Sequence, residues 1–129
     1  MKNIILSLLA SLGLCAHCDA QDSVCVLEPR AFMAAATADS TALLLDVRRP
    51  EEFAEGHLAG AKNLDWLNPD TFKKGMKSLD TTRTYYVYCR SGRRSHAAAT
   101  LLMREGFRVV DMKGGILLWK ELGLPVAMD

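Results

Sequence analysis

Cys89-Arg90-Ser91-Gly92-Arg93-Arg94-Ser95 sets one thiol among three guanidinium groups in a single short stretch. The thiolate is the reactive form of cysteine. Beside cations or at a helix N-terminus its pKa falls from about 8.5 to roughly 3.5–7.5. Gly92 lets the backbone turn so that successive N–H groups face inward and form a nest for negative charge. Arginines fork onto the oxygens of an anionic substrate. Not all three need do so, and at least one is expected to face solvent or tie the loop to an acid. The residues thus read as a nucleophile, Cys89, in an anion cradle made of Arg90, Ser91, Gly92, Arg93, Arg94 and Ser95. Their chemistry is attack by sulfur on a group that carries, or leaves with, negative charge.

Such a loop needs a rigid frame. Thr84-Tyr85-Tyr86-Val87-Tyr88 is aromatic and β-branched and predicts a strand ending at the cysteine. His96-Ala97-Ala98-Ala99-Thr100-Leu101-Leu102 predicts a helix over Ser95–Glu105, closed by Gly106. Its first N–H groups and dipole end would point back at the sulfur. Further strands are expected at Val24–Leu27, at Ala42–Val47, after a turn within His57–Leu64, and at Arg108–Met112. Helices are expected after Pro29, over Pro50–Glu55, over Asp70–Leu79 and over Ile116–Leu122. About five strands alternating with helices predict an α/β fold, a parallel sheet with helices on both faces. Ligands in such sheets bind at the carboxyl ends of strands, where Cys89 falls.

Other polar residues read as structural. Asp46 and Arg48 are expected to hold neighbouring loops, and His57, between turn residues, to be structural rather than a general base. His96 is expected at the surface. Alternation sends Tyr86 and Tyr88 to one sheet face, and Trp66 lies in a loop that would wall the pocket. Three scattered histidines and no carboxylate cluster predict no metal site, and no cofactor is expected.

The chain has 129 residues, 50% of them hydrophobic, enough for one core, and a formal charge of +1. That balance argues against a nucleic-acid or membrane-surface binder. Lys2 followed by the apolar run Ile4–Leu14 is too short to span a bilayer and has the form of a secretory leader. We therefore expect residues 1–20 to be a cleaved signal peptide, with cleavage after Ala16 as runner-up, and 21–129 to be one exported, periplasmic or secreted domain. Lipidation at Cys15 or Cys18 is disfavoured by Leu14 and His17 before them. Cys25 reads as a small buried hydrophobe.

Three separated blocks carry a family resemblance. The loop Cys89–Ser95 is similar to the active-site loop of rhodanese-type sulfurtransferases. Asp46-Val47-Arg48, with Pro50-Glu51-Glu52-Phe53 and Gly56–Asn63, resembles that family's first signature, and Gly114-Gly115-Ile116 with Trp119 its last. The resemblance implies a three-layer rhodanese-like fold and a persulfide on Cys89. It also implies small-molecule sulfur donors and acceptors, thiosulfate with cyanide or a thiol, acting on a monomer, with a protein acceptor left open. Two rivals remain. A cysteine-based phosphatase or arsenate reductase places its arginine after five intervening residues, whereas Arg94 follows Cys89 after four, so this loop is one residue short. A non-catalytic module of the same fold would not need to keep both the cysteine and the arginines.

Overall fold

Tyr85, Tyr86, Val87 and Tyr88 are all buried, which marks their strand as the centre of the sheet. The computed structural model describes residues 23–128, so the expected leader lies outside the described residues. In chain order the elements are β1 (Cys25–Leu27), α1 (Pro29–Ala38), β2 (Ala42–Asp46), α2 (Pro50–Ala54), β3 (Lys62–Asn63), α3 (Pro69–Met76), β4 (Thr84–Tyr88), α4 (Arg93–Arg104), β5 (Arg108–Met112) and α5 (Gly115–Glu121). The five strands pair in parallel in the order β1-β5-β4-β2-β3. This is the α/β sandwich expected from the alternation.

Local chemistry starts the helices. Pro29, Pro50 and Pro69 each open one, where a missing N–H costs nothing. The Glu28 carboxylate accepts from the N–H groups of Arg30 and Ala31 at 3.2 and 2.8 Å, and Asn68 accepts from that of Thr71 at 3.2 Å. Two apolar layers then form. Phe32, Tyr86, Tyr88, Met112, Ile116 and Trp119 fill the face under α1 and α5. Phe72, Tyr85, Val87, Cys89, Ala99 and Leu102 fill the face under α3 and α4. Tyr86 and Tyr88 thus share a face, as alternation requires. Cys25 is buried in the first layer, and it is not a free thiol.

Some boundaries differ from expectation. α4 starts at Arg93, two residues earlier than read, because Gly92 adopts a left-handed φ of 103° and serves as the N-cap itself. Arg93 and Arg94 therefore belong to the helix and not to the loop. α3 ends at Met76 rather than Leu79, where tight bonds from Ser78 to Gly75 and from Leu79 to Met76 replace helical ones. The strand before Leu64 is only Lys62–Asn63.

Candidate active site

Cys89 follows the last residue of β4 and is fully buried under its own loop. The Gly92 N–H donates to its Sγ at 3.1 Å. The carbonyls of the loop face the other way. Cys89 O accepts from the Ile116 N–H at 2.9 Å, and Arg90 O from that of Leu117 at 3.1 Å. The first turn of α5 thus captures the loop's carbonyl oxygens and leaves its N–H side to the sulfur. Of the anion nest expected from Gly92, one N–H, that of Gly92 itself, donates to the sulfur. Gly115 makes the contact feasible, since a Cβ there would lie 2.2 Å from Arg90 O. Its φ of 63° also favours glycine.

The three arginines after Cys89 separate by role. Arg90 and Arg93 are exposed, as is Ser91, and neither arginine forms an ion pair among the described residues. Arg94 is committed: its Nη1 and Nη2 fork onto Oε1 and Oε2 of Glu52 at 2.8 and 3.0 Å. Arg94 is therefore the arginine that ties the loop to an acid. Its hydrogen bonds hold the Glu52 carboxyl down to about 2, helped by the Arg49 N–H. Ser95 is buried beneath the loop, its hydroxyl 3.4 Å from Gly92 O, so it supports the backbone rather than facing a substrate.

Asp46 and Arg48 hold neighbouring loops, as read. Both are buried and joined by a 2.7 Å ion pair, and Arg48 also donates to Gly56 O at 2.7 Å. Asn63 donates to the carbonyls of Asp46 and Arg48 at 3.0 and 2.9 Å. His57 stacks on Phe53 at 3.8 Å, with Nδ1 2.9 Å from Phe53 O, and its backbone pairs with Ala127. The Leu58 N–H donates to the Tyr88 hydroxyl at 3.0 Å, so the central strand also fixes this turn. Trp66 packs edge-on against Phe72 in the helical layer.

One residue escaped the sequence reading. Asp111, in β5, is 2% exposed, and His96 approaches its Oδ2 with Nδ1 at 3.5 Å. The available signal was a lone acid in the apolar run Val109-Val110-Asp111-Met112, since a buried carboxylate calls for a partner. No cluster of three or more potential metal-ligating side chains gathers among the described residues. A cleft of about 750 Å³ lies between α1 and α5 against Met33, Trp119 and Pro125. That is the opposite sheet face from Cys89, so chemistry and not cavity size locates the site.

The comparisons agree with this geometry. The rhodanese-like domain family matches residues 30–122. A sulfurtransferase of Allochromatium vinosum is 40% identical over 86 residues, covering 65% of this chain and 77% of that protein. Chloroplastic thiosulfate sulfurtransferase 16 of Arabidopsis thaliana is 38% identical over 91 residues, covering 63% and 76%. The crystal structure of a rhodanese-related protein from Thermoplasma volcanium superposes with a TM-score of 0.64 at 35% identity, covering 69% of this chain and 86% of that one. The two relatives are sulfurtransferases, and the chain belongs to the rhodanese-like domain family.

Proposed function

We propose that the protein moves a sulfane sulfur from thiosulfate, or a related anionic donor, to cyanide or a thiol by way of a persulfide on Cys89. The Cys89 thiolate attacks the outer sulfur of thiosulfate. The sulfur–sulfur bond of the donor breaks, a new one forms to Sγ, and sulfite leaves with the electron pair. Cyanide or a thiolate then attacks the terminal sulfur and returns Cys89 as the thiolate. The observation that carries this reading is the Gly92 N–H on Sγ at 3.1 Å, with Arg90 and Arg93 exposed beside it. Negative charge moves from Sγ to a sulfur one atom further out, and inward-facing N–H groups can follow it there. The exposed guanidinium groups suit the sulfonate end of the donor.

The phosphatase reading needs an arginine free to embrace a tetrahedral oxyanion. Arg94, the nearest equivalent, is held by Glu52, and the loop is one residue short. A regulatory module would need neither the nucleophile nor its N–H support. The compartment we propose is outside the cytoplasm, from the leader-like residues 1–20. One experiment addresses activity and compartment: expression in a host with a secretory pathway. The exported protein should begin at Gln21, form thiocyanate from thiosulfate and cyanide, and leave an aryl phosphate untouched. Retention of Met1 on the exported protein would refute the leader, and turnover of aryl phosphate without thiocyanate would refute the sulfur chemistry.

A further inference from the structure

The steps above leave one buried ionisable group unused. Asp111 pairs in register with Val87 of β4 and Val26 of β1, both aliphatic. Its Oδ1 is buried and has no hydrogen-bond partner. Burial pushes its carboxyl up to about 6, against the Ser95 hydroxyl and the His96 ring, which pull it down. A carboxylate in that position is costly unless something requires it.

Its partner His96, with Nδ1 3.5 Å from Oδ2, lies in the first turn of α4. That same turn is built on Gly92. The His96 N–H donates to Gly92 O at 3.2 Å, the Ser95 hydroxyl lies 3.4 Å from the same oxygen, and the Gly92 N–H supports Sγ. β5 thus reaches from beneath the sheet face to the residue that holds the sulfur. We propose that Asp111 is a positioning residue for Cys89: by pairing with His96 it fixes the turn that carries the Gly92 N–H. The inference rests on Cys89 being the nucleophile, but not on the identity of the donor.

A dependence on charge follows. The groups facing Asp111 are Ser95 and His96 from α4. From β4 they are Tyr85 and Cys89, each two residues from Val87 on the same face. β1 offers only Val26 in register. An ionised Asp111 therefore adds negative charge on the face where the Cys89 sulfur must carry its own, with His96 as the offsetting cation. Two substitutions separate the link from the charge. Asp111→Asn keeps the size and an acceptor for His96 but removes the charge. His96→Ala keeps the charge of Asp111 and breaks the link.

The test is the pH profile of alkylation by iodoacetamide, with no sulfur donor present. Cys89 is the free cysteine among the described residues. Asp111→Asn should move the midpoint of the profile to lower pH, and His96→Ala to higher pH, each by about half a unit or more. Near-ultraviolet circular dichroism and the melting temperature report folding, and either variant alone suffices if the other does not fold. Profiles that superimpose on wild type in folded variants, with only the melting temperature altered, would overturn the proposal and leave Asp111 a packing residue. Because no donor enters the assay, that failure is distinct from a failure of the thiosulfate reaction.

Discussion

Cys89 is fully buried, so the proposed reaction favours donors with a slender reactive end and calls for cations outside to steer them. Arg90 and Arg93 are exposed on α4's approach and suit that task, whereas Arg94 is spent on Glu52. Charge-assisted hydrogen bonds contribute about 1.5–3 kcal/mol each. Arg90→Ala and Arg93→Ala should therefore lower kcat/KM for thiosulfate about tenfold or more, and use of an uncharged persulfide donor much less. Steady-state kinetics with both donors check this, and an equal loss with each donor would contradict it. Glu52→Gln should weaken the Arg94 clamp and depress both donors alike. The pH dependence of this pair has a definite sign. The folded Glu52 carboxyl is held down to about 2, below its ordinary value. Its contribution is complete above the ordinary carboxylate range and fades only as pH falls toward 2, so the clamp is constant from neutral pH to about 5. The contact between Gly92 and the Cys89 sulfur was legible because it is contained within a few adjacent residues. The fate of Arg94 was not, since Glu52 lies 42 positions away and three neighbouring arginines look alike in a sequence.

At the scale of elements, two helix starts meet at one loop. α4 supplies the turn beneath the sulfur, and α5 supplies the N–H groups that turn the loop carbonyls aside. The close approach of Gly115 to Arg90 is what joins them. In Gly115→Ala a methyl group would meet backbone atoms that cannot step away cheaply, at a φ that L-residues rarely adopt. Overpacking of this kind typically costs about 1–3 kcal/mol, and here its effect falls on the active loop. We expect near-complete loss of sulfur transfer with a melting temperature lowered by several degrees, measured side by side with wild type. Full activity in that variant would show that α5 does not shape the loop. The strands and helices were legible from apolar runs, prolines and glycines. The start of α4 was not, because a glycine N-cap has no side-chain signature and Arg93-Arg94 reads equally as cationic loop or first turn. Asp111 was missed for a related reason: its significance lies in what α4 lays over it, which no strand pattern encodes.

At the scale of the molecule, the parallel sheet carries separated stretches of the chain to one edge. The Asp46–Arg48 pair follows β2, the Cys89 loop follows β4, and Gly114-Gly115 follows β5. β4 sits centrally between β2 and β5, so the nucleophile is flanked by both other blocks. That arrangement explains why the three blocks could be recognised from sequence yet not assembled from it. Their order along the chain is visible, but their contacts arise from the strand order β1-β5-β4-β2-β3. Residues 1–20, read as a leader, lie outside the described residues, and the proposed compartment rests on their composition. The account's central claim is that Cys89 receives a single sulfur atom. The most direct measurement is the intact mass of the protein after incubation with thiosulfate alone. The account predicts a gain of one sulfur atom, located on Cys89 by peptide mapping, removed by cyanide and absent in Cys89→Ser. An unchanged mass, or a gain that survives in Cys89→Ser, would contradict it.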